Sequence, residues 1–183
     1  MSVRTIQVQR DVLHEARQTA DELRRTMSVR GTFVVNLVSS PGAGKTALLE
    51  ATAQHWQDER RMAVLVGDLA TDRGAQRLAP LVPVVQLTTG GACHLEPALV
   101  QRGWDQLAEQ PLDFLFIENV GNLVCTASHD LGEHLRVVLL SVTEGDDKPG
   151  KYPKMFRRSD VMLITKLDLL PHVPFSPDAA TAD

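Results

Sequence analysis

The sequence predicts an α/β fold, a doubly wound and mostly parallel sheet with helices on both faces and an amphipathic helix ahead of it. Three observations predict it. From residue 32 onward, short β-rich runs alternate with helix-like stretches. Most of those runs are continuously apolar, as strands covered on both faces are. Polar, glycine-rich clusters recur where the runs end, the edge at which ligands collect in such sheets. The chain's 183 residues suit one domain, since domains commonly hold about 100–200 residues.

Charge and composition exclude several classes. Nineteen Lys and Arg against 23 Asp and Glu leave a net charge of −4, whereas a phosphate-backbone binder needs a basic stripe, so no nucleic-acid partner is expected. No apolar run approaches the roughly 18 residues that span a bilayer, so no membrane association is expected. The first residues carry Asp11 and Glu15 and no apolar signal core, which speaks against an export or transit segment. Two cysteines make no disulfide framework. The expected compartment is cytoplasmic.

The elements follow in order. Leu13, Ala16, Ala20, Leu23 and Met27 recur at three- and four-residue spacing and form one stripe of a helix over about 8–30. Gly31 stands where a C-terminal glycine cap ends it. Residues 1–31 are therefore expected to be a helix packing on the domain, with a dimer contact as the alternative use of the stripe. The expected strands are Thr32–Val38, Met62–Val66, Val82–Leu87, Phe114–Ile117, Val137–Val142 and Val161–Thr165. Crossover helices are expected near 45–59, 73–79, 95–109 and 153–158, so the domain spans 32–172. Residues 173–183, with two prolines and small polar residues, are expected to be a flexible tail.

Directly after the first strand comes Ser39-Ser40-Pro41-Gly42-Ala43-Gly44-Lys45-Thr46, followed by the helical pattern from Ala47. Such a turn aims backbone N–H groups and a helix dipole at phosphate oxygens. This is the phosphate cradle of P-loop nucleotide hydrolases, although Ser39 stands where the strict pattern has Gly. Lys45 is expected to reach the β and γ phosphates and the Thr46 hydroxyl to hold Mg²⁺. Asp68 and Glu118 each end an apolar strand, the layout of a metal- or water-positioning carboxylate. Catalytic Lys45, Asp68 and Glu118 are expected, with Mg²⁺ at Thr46, Asp68 and Glu118. After the last strand, Thr165-Lys166-Leu167-Asp168 resembles the guanine-reading Asn-Lys-x-Asp of GTPases. A carboxylate there accepts two hydrogen bonds from guanine that adenine cannot supply. Nucleotide contacts are thus expected from Pro41, Gly42, Ala43, Gly44, Lys45, Thr46, Ala47, Lys166 and Asp168.

Cys93 and His94 adjoin in a glycine loop after the third strand, and Cys125 follows the Glu118 strand end. Two thiolates and an imidazole are borderline-soft donors suited to Zn²⁺ or Ni²⁺. Three donors leave a tetrahedral site one short, which a two-fold dimer pooling ligands would fill. Simple burial of both cysteines is the other reading.

Taken together, the segments resemble the HypB family, the nickel-incorporation GTPases of [NiFe]-hydrogenase maturation, related to the urease accessory GTPases. The resemblance covers about residues 30–172. It is carried by Ser39–Thr46, Gly67–Asp72, Thr89–Leu95, Ile117–Cys125, Asp130–Glu133, Ser141–Pro149, Lys151–Pro153 and Asp168–Pro171. It implies a metallochaperone that uses GTP with Mg²⁺, dimerises on binding GTP, and holds Ni²⁺ or Zn²⁺ at Cys93, His94 and Cys125. The implied partners are the accessory protein HypA and the hydrogenase large subunit. Gly74-Ala75 stands where the family reads Asp-Ala, with Asp72 as the substitute carboxylate, and Thr165 replaces the family's Asn. The chain stops before the last strand, a guanine-contacting loop and the closing helix, so an apolar sheet edge is expected. No Cys- or His-rich N-terminal nickel stretch is present. Two readings stay open, a slow GTPase that gates nickel delivery and a nucleotide- and metal-binding adaptor that hydrolyses little. A GTPase serving urease or a cobalamin enzyme is disfavoured by the Cys93-His94 and Cys125 pattern.

Overall fold

A computed structural model describes residues 8–57, 59–68 and 72–182, with side chains from residue 14 onward. Leu13, and Leu69 to Thr71 of the Gly67–Asp72 segment, lie outside the described side chains. Helix α1 (Val8–Val29) precedes β1 (Phe33–Ser39), α2 (Lys45–Trp56), β2 (Met62–Asp68), α3 (Arg73–Leu78), β3 (Val84–Thr88), α4 (Pro97–Asp105) and β4 (Phe114–Glu118). A 3₁₀ turn (Cys125–Ser128) leads to β5 (Leu135–Ser141), short helices α5 (Lys148–Lys151) and α6 (Pro153–Arg157), and β6 (Val161–Thr165). A second 3₁₀ turn (Leu167–His172) and α7 (Pro177–Ala182) complete the described chain.

The six strands form one sheet in the order β3-β2-β4-β1-β5-β6. Every pairing is parallel, with Phe33 opposite Phe114 and Val35 opposite Leu135. Parallel strands need crossovers, and the helices that supply them cover both faces. On one face, Leu23 and Met27 of α1 and Val100 and Trp104 of α4 pack with Val34, Leu65, Leu115 and Ile117. On the other, Leu49 and Ala53 of α2 and Leu78 of α3 pack with Val35, Leu37, Val64 and Phe116. The central strands are thus apolar on both faces, which is why their sequence runs rather than alternates. Ala20, Leu23 and Met27 are fully buried, so α1 lends its stripe to the domain core.

Two sequence expectations are corrected. Of the expected tail 173–183, the described residues 173–182 are packed, and Asp183 lies outside the described residues: Pro177–Ala182 is helical, and Phe175 and Ala180 are buried with Leu140 and Val142. Composition misled there because two apolar side chains suffice to seat a short segment on an already formed core. The helix near 95–109 spans only Pro97–Asp105. Leu107 and Leu112 beyond it are nonetheless core residues in irregular backbone.

No helix among the described residues is long and apolar enough to cross a membrane.

Candidate functional site

Because all strands run parallel, the chain segments that follow β1, β2, β3, β4 and β6 emerge on one edge of the sheet. The P-loop leaves β1 and enters α2, whose N-cap Gly44 has φ of 104°. That left-handed conformation is costly for any residue with a Cβ, which accounts for glycine at this point. Lys45 is folded back and buried, its Nζ donating to Ser39 Oγ at 2.8 Å. The departure from the strict motif at Ser39 therefore supplies a resting partner for the lysine.

Between the P-loop (Pro41, Gly42, Lys45) and the strand ends (Gly67, Asp68, Glu118–Gly121) lies an open cleft of about 280 Å³. Thr46 Oγ1 donates to Glu118 Oε1 at 2.6 Å, joining α2 to the end of β4. Glu118 Oε2 is buried with no hydrogen-bond partner. Burial pushes the Glu118 carboxyl up from its ordinary value, opposed by the Thr46 hydrogen bond and the Lys45 charge. Burial likewise pushes the Lys45 ammonium down, opposed by Glu118, Glu144 and Asp68. An orphaned carboxylate oxygen beside a threonine hydroxyl at a P-loop fits a hard, oxygen-seeking divalent cation. Glu144, to which the sequence reading gave no role, faces the same lysine, and its Oε2 is also buried and unpaired.

The Thr165-Lys166-Leu167-Asp168 segment meets the P-loop through Thr165, whose hydroxyl donates to the Ala43 carbonyl at 2.7 Å. Lys166 follows with φ of 58°, and both it and Asp168 are exposed at the start of the 3₁₀ turn. Ala47 is exposed on the first turn of α2. Gly74 lies beside Thr46, where an added Cβ would sit 3.9 Å from Thr46 Oγ1. A carboxylate at that position would stand within reach of Thr46. Asp72 is turned elsewhere, accepting from Gln76 Nε2 at 2.7 Å on the exposed side of α3.

The soft donors are gathered around Cys93. The neighbouring Cys125 thiol pushes the Cys93 thiol up from its ordinary value, and Cys93 Sγ lies 3.9 Å from His94 Nδ1. Both cysteines are free and half-buried. Among the described residues, no three His, Cys, Asp or Glu side chains already converge on a metal position. His129, which the sequence reading passed over, stacks on His94 with ring centroids 3.8 Å apart. A signal was present: it lies four residues after Cys125, in the same loop.

Two close approaches join the phosphate cleft to these loops. Leu95, next to His94, packs directly over Gly67, where an added Cβ would lie 2.8 Å from the leucine side chain. Gly121, three residues beyond Glu118, sits as tightly on Pro41, where an added Cβ would lie 2.9 Å from the proline Cα. Asn122 then accepts hydrogen bonds from the backbone N–H groups of Val124 and Cys125 at 2.8 and 3.0 Å.

Residues 33–181 match the CobW/HypB/UreG nucleotide-binding domain. The hydrogenase maturation factor HypB of Azotobacter chroococcum is 49% identical over 180 residues, covering 98% of this chain and 59% of that protein. The hydrogenase/urease maturation factor HypB of Helicobacter hepaticus is 45% identical, covering 96% of this chain and 74% of that protein. The crystal structure of HypB from Helicobacter pylori in complex with nickel superposes with a TM-score of 0.88 at 41% identity. That superposition covers 92% of this chain and 80% of the other. The chain thus spans well under two thirds of the Azotobacter relative's length and nearly the whole of its own. By sequence and fold alike, it belongs to the HypB group of the CobW/HypB/UreG nucleotide-binding-domain family.

Proposed function

We propose that this chain is the GTP-hydrolysing unit of a metallochaperone that delivers nickel during [NiFe]-hydrogenase maturation. Lys45 neutralises charge on the β and γ phosphates, and Mg²⁺ sits among Thr46, Asp68 and Glu118. Lys166 and Asp168 read guanine, and Cys93, His94 and Cys125 carry Ni²⁺ or Zn²⁺ as cargo. GTP binding favours a homodimer in which the metal loops face the partner copy. HypA and the hydrogenase large subunit are the partners in delivery.

One observation carries the reading: the packing of Gly121 on Pro41, with Glu118 three residues before it and Cys125 four after. A γ-phosphate and Mg²⁺ that reposition Glu118 must move the backbone leading to Cys125. Loss of that phosphate then loosens the cargo site. The Gly67–Leu95 contact supports the same coupling on the Cys93–His94 side.

The second reading, an adaptor that binds nucleotide and metal but hydrolyses little, is favoured by Gly74 and by the turn of Asp72 toward Gln76. Single-turnover hydrolysis separates the two. The chain is expected to release phosphate from GTP in the presence of Mg²⁺, and Lys45→Ala to lower that rate by at least about 100-fold, since phosphoryl transfer rests on positioned charge. Tight GTP binding with no release above the Lys45→Ala control favours the adaptor.

A further inference from the structure

Cys93, His94 and Cys125 offer three donors, and a tetrahedral site takes four. His129 has no role in the function proposed above. It follows the 3₁₀ turn that begins at Cys125, and its Nδ1 lies 2.9 Å from the Cys125 carbonyl oxygen. A carbonyl only accepts, so Nδ1 carries the proton and Nε2 presents a lone pair. The His129 carbonyl is held in turn by Arg136 Nη2 at 2.5 Å. Arg136 is buried and paired with buried Glu133. An imidazole with its rear nitrogen fixed by a backbone carbonyl is the arrangement that orients histidines on metals. The ring is half-buried and lines an open cleft with Ala16 and Pro97, so it is reachable from solvent.

We propose that His129 Nε2 is the fourth donor to the ion carried by Cys93, His94 and Cys125, closing the site within one chain as two thiolates and two imidazoles. This rests on the cargo site proposed above and deepens it. With the rings planes 15° from parallel, both imidazoles cannot meet the ion edge-on. Binding therefore turns His94 off the stack, while His129 stays where its Nδ1 and carbonyl are anchored. The ligand class is a borderline-soft divalent cation, Zn²⁺ or Ni²⁺. A four-donor chain binds its ion alone, whereas a pooled trio needs two chains.

The test uses the full chain without nucleotide, its monomeric state verified by light scattering. Zn²⁺ affinity is read by competition with a chromophoric chelator, and coordination by the visible bands of bound Co²⁺. One ion per monomer with the intense bands of four-coordinate Co²⁺ is expected. His129→Phe keeps a flat ring against His94 and removes the donor, so affinity should fall at least about 10-fold with altered bands. Wild-type affinity and spectrum in His129→Phe overturn the proposal. So does a loss in His129→Ala that His129→Phe does not share, which makes the ring a stacking platform only. Cys93→Ala distinguishes the two levels of inference. If it weakens binding while His129→Phe does not, the cargo site stands and the fourth donor falls; if neither matters, the cargo site falls as well. Should His129→Phe unfold, ¹⁵N-histidine labelling of the wild type decides, because Zn²⁺ must shift the His129 Nε2 resonance and an unmoved resonance refutes the assignment.

Discussion

The Thr46 hydroxyl spans 2.6 Å to Glu118 across 72 residues of sequence. It satisfies one oxygen of a carboxylate whose other oxygen has no partner. Thr46→Val keeps the shape and removes that bond, leaving both oxygens orphaned. The expected cost is about 1–3 kcal/mol in the nucleotide-free chain, because a buried acceptor loses its partner. The same variant should lose the Mg²⁺ dependence of nucleotide binding, read by titration with and without the cation. Unchanged melting and unchanged Mg²⁺ dependence would remove the pair from the site. The shape of the P-loop was legible beforehand because its residues are consecutive and its glycine turn is a local feature. The roles of Glu144 and Thr165 were not, because each acts on a partner distant in sequence. Thr165 shows the point: it lacks the amide of the family's Asn, yet its hydroxyl ties the start of the Lys166–Asp168 segment to Ala43.

At the scale of elements, α1 is held by more than its apolar stripe. Arg24 bonds both oxygens of Asp130 at 2.6 Å and the Glu133 carbonyl at 3.0 Å. The loop between those acids passes so close that an added Cβ on Gly132 would lie 2.8 Å from the Ala20 carbonyl and from Leu23 Cβ. Gly132 also has φ of 83°. Gly132→Ala therefore combines a left-handed backbone with a steric clash and is expected to cost about 2–5 kcal/mol in urea unfolding. Leu23→Ala, which empties a fully buried position, should cost about the same. Near-wild-type stability in both variants would mean that α1 does not dock in solution. Periodicity predicted the helix and its buried face. It offered no view of the buried Asn36–Glu133–Arg136 network beneath, since Asn36 sits in an otherwise apolar strand.

For the molecule as a whole, the sheet of the described residues has β6 at one side, paired there with β5. Its outward face leaves Val161 at 38% and Leu163 at 37% exposure. Unpaired, apolar edge strands template association. Leu163→Lys should lower concentration-dependent self-association in light scattering, because it sets a charge on the exposed apolar strand. Equal association in wild type and variant would show that this edge is not the contact. Phe175 and Ala180 cover part of the neighbouring surface over Leu140 and Val142, so the edge is less bare than composition suggested.

Local order was written in the chain: strand and helix periods, the glycine-rich cradle, and acids placed at strand ends all depend on near neighbours and read directly. The parallel crossover rule then places those ends on one edge without any coordinates. What folding alone settled is which distant groups touch. Thr46 meets Glu118, Pro41 meets Gly121, and His129 stacks on His94, because sheet order and close packing bring them together. Contacts of that kind are set by the packing of the whole core, and no local pattern encodes them.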